Sequence, residues 1–127
     1  MSFAFPPKSI ERLKTVHPDL SKVAYRALEH TKIGFIITDG LRTKEKQLEL
    51  VKSGASKTLN SRHLTGHAID VAAIMNEKIS WDWAYYELIA KAMNRASMEL
   101  GIPIIWGGIW KDFKDGVHFE LDRATYK

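Results

Sequence analysis

The sequence contains no cysteine, so the chain can form no disulfide and cannot hold a metal through thiolates. Any metal ligands must therefore be nitrogen or oxygen atoms. Long apolar runs are also missing, since no window approaches the roughly 18 apolar residues that a membrane span needs. The first residues lack the basic and apolar stretches of an export signal. We therefore expect no signal peptide and no stable membrane insertion.

The chain also has no cluster of like charges. Lysine and arginine number 19 against 15 acids, which gives a net charge of +4, and the basic residues are scattered among acids. This pattern argues against a nucleic-acid groove, whereas the small excess suits an anionic partner or simply a well-solvated surface. With 45% hydrophobic residues and a suitable length, residues 1–127 are expected to form a single domain.

Hydrophobic periodicity predicts a mixture of helices and short strands. The first helix is predicted to begin at Ser9 as its N-cap and to end at about Val16. Three more helices are predicted over 18–30, 44–53 and 83–100. Strands are predicted over 33–38, 68–74, 79–81, 104–106 and 117–121, with a loop over 55–66. Because helices and strands do not alternate regularly, the predicted fold class is α+β, with a small, largely antiparallel sheet flanked by helices.

The third predicted helix follows Arg42, which stands at the exit of the first strand. Thr43 can cap this helix, and Gly54 can end it in the left-handed conformation that glycine tolerates. Leu48 and Val51 are predicted to mark its buried face.

Two clusters of polar residues point to chemistry. His63, His67 and Asp70 fall within eight residues, and Asp115 and His118 form a second cluster further along the chain. Each cluster meets a predicted strand, so the two can be brought together by strand pairing. An isolated histidine is usually a surface residue or a satisfied core residue, but that reading is weaker for histidines grouped with acids.

Strand parity strengthens the case for Asp70 and His118. If Ile69 and Val71 face the core, Asp70 faces the opposite side, because successive side chains of a strand alternate. By the same argument Phe119 can face the core while His118 faces away from it. Both candidate ligands are therefore predicted on the side of the sheet away from the core.

Two histidines, one carboxylate and a water form the three-protein-ligand arrangement of catalytic zinc. Zinc would lower the pKa of its water towards about 7 and polarise an amide carbonyl. A carboxylate that is not a ligand must then move protons. Asp115 can do so, since it precedes His118 by three residues and Gly116 allows a bend between them.

Two alternatives stay open at this point. His63 and His67 offer a competing ligand pair at His-x3-His spacing, although Thr65 and Gly66 argue against the helix that this spacing requires. We therefore interpret His67 as a neighbour that shapes the site. Glu120 is either a hydrogen-bond partner of a ligating histidine or an ordinary polar residue of the sheet.

These motifs resemble the signature of the zinc peptidases that include D-Ala-D-Ala carboxypeptidases and dipeptidases and the L-alanyl-D-glutamate peptidase endolysins of phages. The matching positions are Ser61-x-His63-x-x-Gly66-x-Ala68-x-Asp70 and Asp115-x-x-His118. The resemblance extends to Gly40-Leu-Arg42-Thr, to Gln47, Leu50, Gly54 and Ser56, and to Trp106-Gly-Gly. It covers roughly residues 34–121.

The resemblance implies a Hedgehog/DD-peptidase-like domain that holds Zn²⁺ on His63, Asp70 and His118, with Asp115 as general base and acid. Members that trim terminal D-Ala commonly carry glutamate where this chain has Asp115, whereas the phage endopeptidases carry aspartate. The expected reaction is therefore hydrolysis of the L-Ala-D-Glu bond in the peptide stem of bacterial peptidoglycan.

The resemblance also implies a substrate side for the site. Arg42 would stabilise the oxyanion, and Gln47 and Ser61 would line the substrate site beside it. Ile109 stands where similar lysins often carry an acid after Trp-Gly-Gly. An aromatic group over residues 81–86 is more typical of core and rim packing than of a glycan site.

Partners and location follow from the same resemblance. A phage endolysin would be a monomer that waits in the host cytoplasm and acts on peptidoglycan in the cell wall at lysis. One alternative is a D-Ala-D-Ala carboxypeptidase in wall remodelling. Another, from a different class, is a zinc-stabilised binding module without catalysis, which would have no use for the free carboxylate of Asp115.

Overall fold

The structure is a computed structural model that describes residues 3–56, 58–111 and 114–127. Over these ranges the chain forms four α-helices and five β-strands. The helices are α1 (Pro7–Lys14), α2 (Pro18–His30), α3 (Lys44–Lys52) and α4 (Trp83–Leu100). The strands are β1 (Gly34–Asp39), β2 (Ala68–Met75), β3 (Lys78–Ser80), β4 (Ile104–Trp106) and β5 (His118–Leu121).

The strands form one antiparallel sheet, which confirms the predicted fold class. Its order is β1-β2-β5-β4, and β3 pairs with the end of β2. The register of β2 against β5 places Asp70 directly opposite His118. Directly opposed residues of an antiparallel pair project to the same side. Two residues that are distant in sequence therefore meet on one face of the sheet.

The apolar core lies between the helices and this sheet. In α2 the buried residues recur at the helical spacing that the sequence predicted. Fully buried side chains include Leu20, Val23, Ile37, Ile69, Val71, Ile89, Met93, Phe119 and Leu121. Among the described helices, none combines the length and apolar character needed to cross a membrane.

Helix α1 differs from its prediction. It begins at Pro7, a favourable first position because proline has no N–H to leave unbonded, and Ser9 is not its N-cap. Instead Ser9 is buried inside the helix, where its hydroxyl accepts the backbone N–H of Ile37 at 3.0 Å. The serine therefore ties α1 to β1 rather than starting the helix.

Helix α3 is capped by Thr43 as predicted, but its predicted buried face is wrong. Leu48 is 43% exposed, Val51 is only partly buried, and the buried residue of this helix is Gln47. The inner side of α3 contacts polar groups rather than an apolar layer, so a polar residue is buried there. Gln47 is held there by a hydrogen bond from Arg42.

Candidate active site

His63, Asp70 and His118 converge at the paired ends of β2 and β5. One ligand atom from each of the three side chains lies within 4.8 Å of the other two. His63 Nε2 is 3.1 Å and His118 Nδ1 is 3.3 Å from the same carboxylate oxygen of Asp70. The structure therefore brings together the three residues that the sequence pattern selected.

Each imidazole is oriented by a hydrogen bond from its other nitrogen. His63 Nδ1 lies 2.9 Å from the carbonyl oxygen of Gly40, and His118 Nε2 lies 2.9 Å from the carboxylate of Glu120. Because both partners are acceptors, each of these two ring nitrogens carries a proton, and the nitrogens that face Asp70 are His63 Nε2 and His118 Nδ1. Two imidazole nitrogens with outer acceptors and one carboxylate oxygen fit a catalytic zinc site.

His63 is presented by a short 3₁₀ turn, Arg62–Thr65, inside the predicted loop. The turn is capped by Ser61, whose hydroxyl accepts the N–H of His63 at 3.1 Å. Gly66 ends it with φ at 74°, a left-handed conformation that favours glycine. A side chain at Gly66 would also approach the carbonyl oxygen of Thr15 to 3.2 Å. The glycine thus allows the turn and its packing against the end of α1.

His67 does not join the metal-ligand group found in the described part of the chain. Its Nδ1 lies 2.6 Å from the hydroxyl of Thr65, and its ring faces that of His17 with centroids 5.8 Å apart. Burial, together with the charges of Arg62 and His17, lowers the pKa of His67. These contacts agree with its interpretation as a neighbour of the site.

Contacts within the cluster shift the pKa values of Asp70 and His118. Burial alone would raise the pKa of Asp70, but hydrogen bonds with His118 and His63 hold it well below its usual range. Burial also disfavours a charged His118, yet hydrogen bonds to Asp70 and Glu120 outweigh it and raise the pKa of His118 to about 9. A metal at these atoms must replace a proton of His118, so metal binding and proton release are linked.

Asp115 lies in the wall of the same cavity without belonging to the ligand group. Its backbone N–H donates to the carbonyl of Gly107 at 3.0 Å, and its own carbonyl accepts the N–H of His118 at 3.2 Å. A Cβ on Gly107 would lie 2.4 Å from the Asp115 carbonyl oxygen, so only glycine permits this approach. Burial and the nearby charge of Asp70 raise the pKa of the Asp115 carboxyl.

Arg42 is fixed by three side chains around its guanidinium. Nε and Nη2 donate to the carboxylate of Asp39, Nη2 also reaches Asp70 at 3.4 Å, and Nη1 donates to Gln47 at 2.7 Å. Gln47 is 1% exposed and donates in turn to the hydroxyl of Ser56 at 2.9 Å. Gln47 is not among the described residues of the cavity wall, and its amide is the buried link between Arg42 and the loop after α3. A direct contact of Gln47 with substrate stays a prediction.

The site lies in an open cavity of about 610 Å³. Arg42 and Ser61 line this cavity, and their contacts with substrate stay predictions. Sequence reasoning missed other residues of the wall, namely Arg62, Trp110, Lys111 and Arg123. The ring of Trp110 lies over His118, with centroids 5.1 Å apart. Trp110 and Lys111 follow the Trp106-Gly-Gly motif, and that proximity was the only sequence signal for them.

The aromatic group over residues 81–86 stays outside this wall in the described structure. Trp81 stacks on Tyr86, whose hydroxyl accepts the N–H of Ala73 at 3.0 Å. Trp83 packs against Trp106 with centroids 5.6 Å apart. These contacts agree with the interpretation as core and rim packing.

Comparison with known proteins identifies the family. A family model described as phage L-alanyl-D-glutamate peptidase matches residues 1–127. The chain is 40% identical over 130 residues to the L-alanyl-D-glutamate peptidase of Escherichia phage T5, covering 99% of this chain and 94% of that protein. It is also similar to the solved L-Ala D-Glu endopeptidase ChiX of Serratia marcescens, with 47% identity, a TM-score of 0.91, and coverage of 97% and 93% of the two chains.

A more distant likeness concerns the fold alone. The vancomycin resistance D,D-dipeptidase VanXYg matches with a TM-score of 0.54 at 17% identity, over 84% of this chain and 50% of that chain. The shared architecture agrees with the DD-peptidase-like fold that the motifs implied. The family match over the whole chain and the high identity to both relatives lead to one conclusion: the chain belongs to the phage L-alanyl-D-glutamate peptidase family.

Proposed function

We propose that the protein is a zinc peptidase that hydrolyses the L-Ala-D-Glu bond in the peptide stem of bacterial peptidoglycan. The observation that carries this proposal is the convergence of His63, Asp70 and His118 in one cavity with the unligated carboxylate of Asp115. The choice of bond is supported by the names of the phage and Serratia relatives. Asp115, rather than a glutamate, agrees with that choice.

The metal would be held by His63 Nε2, His118 Nδ1 and the carboxylate of Asp70. Zinc bound there supplies a Lewis acid that polarises the scissile carbonyl and makes a water more acidic. Gly40 and Glu120 keep the two imidazoles in the required tautomers, because each accepts the proton of the other ring nitrogen.

Asp115 moves the protons of the reaction. Its carboxylate accepts a proton from the attacking water and then gives it to the nitrogen of the departing D-Glu. An acid that must both take and return a proton works best with a pKa nearer to neutrality than that of an ordinary aspartate. Burial beside Asp70 shifts the pKa of Asp115 in this direction.

Arg42 stabilises the negative charge that develops on the carbonyl oxygen. Four of the five N–H groups of this guanidinium are already engaged by Asp39, Asp70 and Gln47, which leaves one on Nη1. Because these partners hold the side chain before substrate arrives, little reorganisation is needed in the transition state. Ser61 supports the same wall by capping the turn of His63.

The proposal is tested by mass spectrometry of purified muropeptides after incubation with zinc-loaded protein. We expect fragments with a new L-Ala carboxyl terminus and a new D-Glu amino terminus. A chelator should abolish their formation and added zinc should restore it. Release of free D-Ala would instead identify a D-Ala-D-Ala carboxypeptidase, and zinc binding without hydrolysis would identify a zinc-stabilised binding module.

We further propose that the protein works as a monomeric endolysin, held in the host cytoplasm until lysis gives it access to peptidoglycan. The support is the phage origin of the T5 relative. We propose the same extent, residues 1–127, for the catalytic domain, which agrees with the span of the family match.

Glu120→Gln is expected to weaken zinc binding by about 10- to 100-fold, the usual effect of losing the outer partner of a ligating histidine. Glu120 is 3% exposed, and hydrogen bonds from His118 and Arg123 outweigh its burial and lower its pKa. A neutral amide would accept the imidazole proton more weakly. Competition with a chromophoric chelator measures the change.

The control for this substitution is Glu87→Gln, which removes an exposed acid from α4. It should bind zinc like the unmodified protein. Equal zinc affinity in the Glu120 and Glu87 variants would mean that Glu120 is an ordinary polar residue of the sheet.

A further inference from the structure

Among the described residues of the cavity wall, four cationic side chains differ in how fully their N–H groups are used. Arg42 is engaged by its three partners. Arg62 is 12% exposed in its side chain and donates to the backbone carbonyls of Leu121 at 3.2 Å and Tyr126 at 2.7 Å. The buried Nε of Arg62 has no hydrogen-bond partner among the described residues and lies 3.9 Å from the carboxylate of Glu120. Arg42 and Arg62 are both largely buried, with side chains 9% and 12% exposed, and both hold parts of the chain in place.

Arg123 is different. Its side chain is 65% exposed, and its Nε donates to the carboxylate of Glu120 at 3.0 Å. Its two terminal nitrogens donate no hydrogen bond to any residue that the structure describes. A guanidinium held at one nitrogen, with its other N–H groups free, is suited to bind a second carboxylate.

The backbone that carries Arg123 is firmly placed. The preceding residue, Asp122, donates its N–H to the carbonyl of Pro103 at 3.0 Å and accepts the N–H of Thr125 at 3.2 Å. Arg123 thus lies in a hydrogen-bonded turn directly after β5. The side chain can therefore present its charge to the cavity at low cost in backbone order.

Arg123 and Arg42 approach the metal ligands from different sides. Arg42 follows β1 and Arg123 follows β5, and these strands flank β2, which carries Asp70. Arg123 is linked to the ligand group by two consecutive hydrogen bonds, through Glu120 to His118. The cavity therefore offers one fixed arginine beside Asp70 and a second, less engaged arginine beyond His118.

The proposed substrate contains an anion at a matching place. In the stem, D-Glu continues through its γ-carboxyl, so its α-carboxylate stays free unless it is amidated. That carboxylate sits on the carbon bonded to the scissile nitrogen, on the opposite side of the cleaved bond from L-Ala. With Arg42 serving the developing oxyanion, the α-carboxylate needs a separate cation close to the ligand group.

We propose that Arg123 binds the α-carboxylate of the D-Glu residue and makes the enzyme prefer stems in which this group is not amidated. This inference rests on the proposed function, since it names a specificity residue for the same reaction. Arg123 is distinguished from Lys111, the other exposed cation of the wall, by its planar fork and by its link to Glu120.

Two synthetic substrates test the proposal with zinc-loaded protein. The first is N-acetyl-L-Ala-γ-D-Glu-L-Lys amide, whose sole carboxylate is the α-carboxylate of D-Glu, and the second is its α-amidated counterpart. Chromatography of the released fragments gives kcat/KM for each. We expect the unmodified protein to prefer the free acid by about 10- to 100-fold, the range of a hydrogen-bonded charge pair.

Arg123→Gln should remove this preference by lowering kcat/KM for the free acid while changing that for the amide little. Arg123→Lys should recover part of it. The matched control is Arg95→Gln on α4, because Arg95 is 64% exposed and pairs with Glu99 at 3.8 Å but lies outside the cavity wall. This control should keep the full preference.

The outcomes distinguish failure of the role proposed for Arg123 from failure of the proposed peptidase function. Equal cleavage of both substrates by the unmodified protein would overturn the role of Arg123 and leave the peptidase intact. An equal fall of kcat/KM for both substrates in Arg123→Gln would also overturn it. Such a fall is expected if Arg123 acts only through Glu120. If Lys111→Gln loses the preference for the free acid and Arg123→Gln keeps it, Lys111 binds the α-carboxylate instead of Arg123. Cleavage of neither substrate would overturn the proposed function together with the inference.

Discussion

Replacing Asp115 by asparagine is expected to lower kcat/KM on stem peptides by about 10²- to 10⁴-fold, the usual contribution of a general base, with zinc still bound at one ion per chain. Asparagine keeps the size of the side chain but cannot accept and return a proton. Asp115 is outside the ligand group, so the metal should be retained. Steady-state kinetics and zinc analysis of the purified variant measure both quantities.

The pH profile gives a second readout of the same residue. Asp115 acts as a base only when deprotonated, and its pKa is raised by burial and by the charge of Asp70. Activity should therefore fall with decreasing pH through a value above that of an ordinary aspartate, and the Asp115→Asn variant should lack this limb. Asp82→Asn is a suitable control, since asparagine also caps a helix and Asp82 caps α4 away from the cavity. Loss of zinc from Asp115→Asn would make Asp115 a ligand instead.

Two histidines of one segment should respond oppositely to substitution. His63→Ala is expected to weaken zinc binding by more than about 100-fold, beyond the effect of losing an outer partner, and to reduce hydrolysis to background. His67→Ala should keep both properties. The reason is that His63 Nε2 faces Asp70 at 3.1 Å, whereas His67 bonds to Thr65. Isothermal calorimetry with zinc and the muropeptide assay measure the difference.

Because His63 is 2% exposed, its variant needs a check of folding by circular dichroism. His118→Ala provides an independent version of the test, since it removes a proposed ligand on another strand. Zinc affinity lost in His67→Ala but kept in His118→Ala would favour the competing pair of His63 and His67.

The convergence of His63, Asp70 and His118 could be predicted because it depends on local rules. Alternation along two strands placed Asp70 and His118 on the same side of the sheet, and the pairing of β2 with β5 sets them opposite each other. The start of α3 was similarly accessible, because its cap Thr43 was predicted from the sequence. These features are each determined by a few residues close in sequence.

The features that could not be predicted from the sequence depend on contacts between segments that are distant along the chain. Nothing near Ser9 indicates that its hydroxyl meets Ile37, 28 residues away. Gln47 is polar and lies on a helix, so its burial beneath Arg42 could not be read from periodicity. Arg123 enters the cavity wall only because β5 ends beside the ligand group.

The imidazoles of His63 and His118 are oriented by acceptors of different kinds, and this difference bears on how the affinity of the proposed metal site can vary. His63 relies on the main-chain carbonyl of Gly40, which no side-chain replacement removes. His118 relies on Glu120, whose strength as an acceptor changes with the residue and with its neighbour Arg123. Substitutions around His118 should therefore change metal affinity in relatives and designed variants, while the orientation of His63 stays the same.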